Sequence, residues 1–306
     1  MSPPKSHAMI EVRWLGSIES KAVFATKHIR QGTRITAEAP LIIVPPSAED
    51  KELSTVYDEI YKLPENNVAK IAELSVRPII RDRAKKDHVL HQDVWRFYKG
   101  KKWMDITGAT LKGKRLHKAI MKAIDLFTIF RVNSLYLGPE GKYGSGLFSL
   151  YGQMNHSCIP NVHGSWNPAL KQLTIHAIQD INAGDQIYVD YTGNALAAYE
   201  CGASKDSNFS TVHKIPRLLS PIEAFRAAEE LAYLMKRQNL RGIGLCRALR
   251  ECSKYALAKG DRHRAVTYAH EELKLEKSLI GTDTGHLEDG LQGARYWFQF
   301  LVSARN

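Results

Sequence analysis

The chain has 306 residues, 44% apolar and 25% charged, a composition ordinary for a soluble globular protein and long enough for one to three domains. No run of about 18 apolar residues is present, which excludes a helical membrane span, and the opening "MSPPKSHAMIEVRW" lacks the apolar stretch of a secretory leader. Four cysteines, Cys158, Cys201, Cys246 and Cys252, form no CxxC pair; this argues against a disulfide framework and for an intracellular protein, cytoplasmic or nuclear.

The formal charge of +11 is uneven, with thirteen Lys/Arg against four Asp/Glu between Arg77 and Lys118. An acidic partner (nucleic acid, nucleosome, acidic protein or membrane surface) is one reading, and a solvated helical face is the other. No recognised nucleic-acid module accompanies the charge.

In chain order, "MIEVRW" and "AVFAT" predict strands, "IRQGTRI" a tight turn at Gly32, and "LIIVPP" an apolar strand stopped by Pro45-Pro46. From Ser47 the period becomes helical: "SAEDKELSTVYDEIYKL" opens with a helix-start signal, and "LHKAIMKAIDLFTIFRVNSLYL" from Leu116 is strongly amphipathic. Strand character returns in "GLFSLY", "KQLTIHAI" and "DQIYVDY". After Tyr191 the chain reads as loop, and from Pro221 as helix almost to the end. Gly260-Asp261 separates two Ala-rich amphipathic runs, as in a tetratricopeptide-like hairpin.

The stretch "QMNHSCIPN", Gln153 to Asn161, crowds amide, imidazole, hydroxyl and thiol together; it suits neither strand nor helix. A loop stapled by Asn and Ser hydrogen bonds is the plainest account. Metal ligation by His156 and Cys158, or a Cys–His dyad, would also use these atoms, although two residues apart they need not face each other.

Three stretches together resemble the SET-domain family of lysine methyltransferases: "AVFATKHIRQGTRITAEAPLI" at Ala22–Ile42, "FRVNSLYLG" at Phe130–Gly138, and "NHSCIPNVHGSWN…LTIHAIQDINAGDQIYVDY" at Asn155–Tyr191. The chain is most similar to a fungal branch related to SET-and-MYND proteins, lacking the MYND finger and most post-SET cysteines. The resemblance implies an α+β fold. A β-rich SET core (9–46 and 131–193) would carry a helical insert (47–130), followed by a degenerate post-SET loop and an all-α tetratricopeptide-like C-terminal domain (194–306). It implies S-adenosylmethionine as cofactor and a lysine-bearing protein as substrate; the charge of the basic insert is consistent with an acidic or chromatin-associated target, and the lack of an apolar span with no membrane partner.

The resemblance also assigns roles. Asn155 and His156 match the cofactor-binding motif, the former by its amide and the latter by its backbone; Asn133 matches the residue at the cofactor's amino-acid end, although by position alone it reads as a helix C-terminal cap. Lys21 lies in the segment aligned with the cofactor-binding turn. Tyr191 matches the catalytic tyrosine, which orients a desolvated lysine amine and also borders the cofactor; Tyr188 is expected to pack. Three departures stand out. Ser20-Lys21-Ala22 replaces a Gly-x-Gly turn. The post-SET zinc site is reduced to Cys158 and Cys201, with no metal expected, and Tyr199 is the candidate for the missing channel aromatic. "YGQMNHSC" and "GDQI" differ mildly from the family's wording. A catalytically inactive SET-derived scaffold, or a SET pocket repurposed for a small metabolite, are the alternatives these departures raise.

Overall fold

The computed structural model describes residues 9–16, 21–46, 53–74, 76–105, 108–138, 141–191, 220–281 and 293–303. In chain order, strands β1 (Ile10–Trp14), β2 (Lys21–Ala25), β3 (Arg34–Glu38) and β4 (Ile42–Val44) precede five helices: α1 (Leu53–Tyr61), α2 (Glu65–Ala72), α3 (Pro78–Lys86), α4 (His88–Gly100) and α5 (Gly113–Asn133). Six short strands follow: β5 (Leu135–Tyr136), β6 (Ser145–Leu147), β7 (Asn155–His156), β8 (Val162–Asn167), β9 (Gln172–Ala177) and β10 (Tyr188–Val189). Helices α6 (Pro221–Arg237), α7 (Ile243–Ala258), α8 (Arg262–Ile280) and α9 (Ala294–Ser303) close the described chain. No helix among the described residues is long and apolar enough to cross a membrane.

Two compact units are distinguished. One takes Met1–Arg13, Ala22–Ala37 and Met154–Asn306; the other takes Trp14–Lys21 and Glu38–Gln153.

In the first unit, β8 and β9 form an antiparallel hairpin, Val162 opposite Ala177 through Asn167 opposite Gln172, with β3 on the outer side of β9. The hairpin turns because the Asn167 side chain accepts the N–H groups of Ala169 and Leu170, both at 3.0 Å. The predicted turn at Gly32 is present with φ +81, and its N–H donates to the Ala177 carbonyl at 2.7 Å. Helix α6 starts where "SPIE" says it should: Ser220 and Glu223 satisfy each other's backbone N–H groups in a capping box. Between α7 and α8, Gly260 adopts φ +79 and Asp261 caps α8 by accepting from the Arg264 N–H, as expected for a helical hairpin. Cys246 and Cys252 are buried in these helices as small apolar residues; burial pushes both thiols up, Cys252 to about 12.

In the second unit, α1, α2, α4 and α5 enclose an apolar core around Val56, Ile60, Ile71, Ile124 and Phe130. Tyr57 and Tyr98 meet inside it, hydroxyl to hydroxyl at 2.9 Å. Helix α3 buries none of its residues. The amphipathic helix expected from Leu116 begins three residues earlier, at Gly113, and its expected tail "LY" is instead strand β5. Strand β6 lies between β4 and β5. Gly144 makes this possible: at φ +89 a Cβ there would come within 2.0 Å of the Val44 carbonyl oxygen. "GLFSLY" is strand only through Leu147. The Glu38 carboxylate then accepts the N–H groups of Leu150 (2.7 Å) and Tyr151 (3.1 Å) and draws the chain into a 3-10 turn over Tyr151–Gln153.

Candidate functional site

The polar knot is not a plain loop. Asn155 and His156 form β7 and pair in parallel with β10, Asn155 opposite Tyr188 and His156 opposite Val189. The ladder continues beyond the strands, the Ser157 N–H donating to the Val189 carbonyl (3.0 Å) and the Asn161 N–H to the Tyr188 carbonyl (3.2 Å). The expectation that this stretch is wrong for a strand is corrected here, because a partner far along the chain supplies hydrogen bonds that local propensity does not foretell. "DQIYVDY" likewise contributes a short strand, since its first residues pair elsewhere: the Ile187 N–H donates to Val23 and Gln186 bridges Phe24.

Asn161 locks this crossing. Its amide donates to the Gln186 carbonyl at 2.8 Å and its side-chain oxygen accepts the Tyr188 N–H at 2.8 Å, so one buried side chain satisfies two main-chain groups of the β10 segment. Ser157 staples the bend as the loop account expects, accepting the Ile159 N–H at 3.1 Å and donating to the Ile159 carbonyl at 3.0 Å. Cys158 and Ile159 pack against the apolar cluster of α6, α7 and α8 that includes Leu231, Leu249 and Leu279, so the C-terminal helices support the knot from behind.

Tyr191 and His156 come together. The Tyr191 N–H donates to His156 Nδ1 at 3.2 Å, and the two rings lie 5.3 Å apart, tilted by 36°. The Tyr191 hydroxyl donates to the carbonyl of fully buried Met154 at 2.6 Å, while the residue as a whole is 60% exposed. Because Nδ1 accepts, the proton of a neutral His156 sits on Nε2, which faces Cys158 Sγ at 3.4 Å. Asp190 Oδ1 lies 4.0 Å from the same Nδ1. His156 and Cys158 therefore do face each other across 3.4 Å. Beside the crossing, His163 stands opposite His176 in the β8–β9 ladder. Burial pushes its imidazole down to about 4, the neighbouring His176 adding to the effect and Asp190 opposing it.

Asn155 is half-buried, and its side-chain amide has no hydrogen-bond partner among the described residues, leaving two donors and an acceptor for a ligand. Tyr188 packs along its own strand, donating to Gln186 Oε1 at 3.0 Å. Asn133 and Lys21 belong to the second unit. Asn133 ends α5 and donates to the Ile129 carbonyl at 3.0 Å, the local role its position suggests. The Lys21 ammonium lies 3.9 Å from Glu73 and 5.4 Å from the centre of the Trp14 ring. Ala22, aligned with the second glycine of the expected turn, is fully buried in β2. Ser20, Tyr199 and Cys201 lie outside the described residues. No group of three or more His, Cys, Asp or Glu that could hold a metal occurs among the described residues.

The residues that sequence reasoning missed are Asn161, Glu38 and the Met154 carbonyl. Asn161 had a signal in the motif itself. The other two act over long sequence distance or through the main chain and leave no local trace.

Comparison with known proteins adds three findings. Over 46 residues, 15% of this chain and 14% of its counterpart, the sequence is 52% identical to the histone-lysine N-methyltransferase set5 of Schizosaccharomyces pombe, so the aligned segment spans a small part of either protein. A crystal structure of the SET domain of LSMT bound to lysine and AdoHcy superposes with 14% identity and a TM-score of 0.39, covering 97% of this chain and 87% of that one. An apo structure of ctPRC2 with two substitutions in Ezh2 gives 12% identity and a TM-score of 0.28, over 97% of this chain and 32% of that one. Neither superposition is close enough to carry an argument. The SET-domain family model, by contrast, matches residues 20–192, more than half of the sequence and the whole of the β7–β10 crossing, and the chain belongs to the SET-domain family.

Proposed function

We infer that the protein is an S-adenosylmethionine-dependent protein-lysine N-methyltransferase of the SET class. The observation that carries the reading is the meeting of His156 and Tyr191 beside the uncommitted amide of Asn155. This donor set fits the cofactor: an amide with free donors and an acceptor matches a ligand bearing carboxylate, ammonium and adenine groups. When bound, the cofactor supplies an electrophilic methyl group on sulfur.

The protein's own contribution is positional. Asn155 would hold the methionine portion and the backbone at His156 the adenine. The Tyr191 hydroxyl, its proton donated to the Met154 carbonyl, would accept from the incoming lysine amine and fix its approach. An amine near pKa 10.4 in water is protonated and non-nucleophilic at neutral pH, so enclosure that lowers this value and alignment of the freed lone pair are what the site has to provide. The likeness to a histone-lysine methyltransferase makes histone lysines the first substrates to test.

Titration calorimetry with S-adenosylmethionine, followed by mass spectrometry of histone peptides incubated with both, tests the reading. Heat of binding and mass gains of one methyl group are expected, and no heat at millimolar cofactor would refute it. A second reading, a SET-derived scaffold without transfer activity, is favoured by Ala22, whose buried side chain takes the place of the glycine that would let a cofactor approach. It predicts a folded protein that binds a partner and yields no methylated peptide.

A further inference from the structure

Methyl transfer leaves the basic face of α5 without a purpose. At about 100° per residue, Lys114, Arg115, Lys118 and Lys122 fall within one sector of the helix about 100° wide. All four are exposed, and none pairs with an acidic group among the described residues. The helix's sole carboxylate, Asp125, lies on the same sector but is already engaged by α3, with Arg81 Nε at 3.2 Å and Lys85 Nζ at 4.0 Å. Lys114, Lys118 and Lys122 follow one another at i, i+4, a spacing at which like charges destabilise a helix. Lys114 and Arg115 stand in the first turn, where no acidic residue offsets the positive end of the helix dipole. Local stability is therefore worked against four times over on one face, which a solvated surface has no need to do.

We propose that this face of α5 binds duplex DNA through its phosphate backbone. The three lysines advance about 6 Å per step over about 12 Å, a straight, evenly spaced row suited to a rigid polyanion of uniform charge. Over residues 114–125 the sector presents no apolar side chain to seat in a protein partner, Val132 joining it only near the end of the helix, and no aromatic ring on which an unpaired base would stack. Over the same residues it lacks the neutral hydrogen-bonding groups that would read a ribose hydroxyl; Asn133, at the end of the helix, donates to the Ile129 carbonyl. The contacts are to phosphate, so the binding carries no base sequence. The inference does not depend on the methyl-transfer reading.

The test is fluorescence anisotropy of the full chain with a labelled duplex DNA of about 20 base pairs, titrated between about 50 and 200 mM salt. Four phosphate contacts predict a log–log slope near −3.6, an affinity loss of roughly 100-fold across that range. The Lys114→Gln/Lys118→Gln/Lys122→Gln variant is expected to reduce the slope by about 2.7. A variant of equal charge loss on the C-terminal helices and their linker, Arg241→Gln/Lys274→Gln/Lys277→Gln, is expected to leave it unchanged. Absence of binding at about 50 mM salt, or equal loss in both variants, overturns the proposal. So does tighter binding of duplex RNA or of poly-glutamate. Should the triple variant fold poorly, Lys118→Glu alone is decisive. It creates favourable i, i+4 pairs with Lys114 and Lys122, so weaker DNA binding at an unreduced melting temperature separates the charge effect from misfolding.

Discussion

Replacing His163 with glutamine removes the group that links folding to pH most directly. In the folded chain its pKa is about 4, against 6.5 when unfolded, with burial the main cause, His176 adding to it and Asp190 opposing. Between these values the unfolded chain holds a proton on His163 that the folded chain lacks, so stability rises with pH. It is fully present above 6.5 and is lost as the pH falls towards 4. For this one group, lowering the pH from 7.5 to 5.0 costs about 2 kcal/mol, from RT times the logarithm of the ratio of the two binding polynomials. Urea unfolding of the parent and His163→Gln at both pH values measures it. Groups that do not face His163 contribute alike to both proteins, leaving the parent to lose about 2 kcal/mol more than the variant, with similar m-values. Parallel losses would refute the account of His163 as a partly buried imidazole that folding keeps neutral.

Other perturbations reach the remaining parts of the fold and site. Gly144→Ala forces a Cβ onto the Val44 carbonyl at positive φ, and a loss of about 3 kcal/mol or more is expected in chemical denaturation. Asn161→Ala strands the Tyr188 N–H and Gln186 carbonyl at the crossing, with an expected loss of about 1–3 kcal/mol and weakened cofactor binding by calorimetry. Glu38→Ala removes the acceptor of the Leu150 and Tyr151 N–H groups, and a fall of about 2 kcal/mol or more is expected in the same denaturant assay. Tyr191→Phe deletes one hydroxyl from an exposed ring. Thermal stability is expected to shift by no more than about 1 kcal/mol, while peptide methylation falls about 100-fold with cofactor affinity unchanged.

Much of the fold is written locally. "SPIE" specifies the start of α6, Gly260-Asp261 the break between α7 and α8, and Gly32 the turn into β3, each because a short-range hydrogen bond or a positive φ leaves few alternatives. The ordered motif of Asn155 to Tyr191 also announced the family. What remained hidden depends on partners far along the chain. β7 is a strand only because β10 lies beside it, and "GLFSLY" stops being one because Glu38 captures its amides. At the site, the proximity of His156 and Tyr191 was legible, whereas the means of holding them was not. Tyr191 is fixed by a carbonyl and by its own amide, main-chain groups that every residue type carries alike. Asn133, whose place in the motif suggested a ligand contact, donates to a carbonyl of its own helix.

The packing of Cys158, Ile159 and Ile178 on helices that begin only after Ser220 has a consequence for how the molecule matures on the ribosome. A nascent chain that has emerged only as far as β10 lacks the helices that cover these three side chains and carries a sticky, half-finished face. Synthesis beyond α8 is the step that finishes it. Truncated genes or protease fragments that stop short of that helix should therefore yield insoluble material rather than a folded SET core.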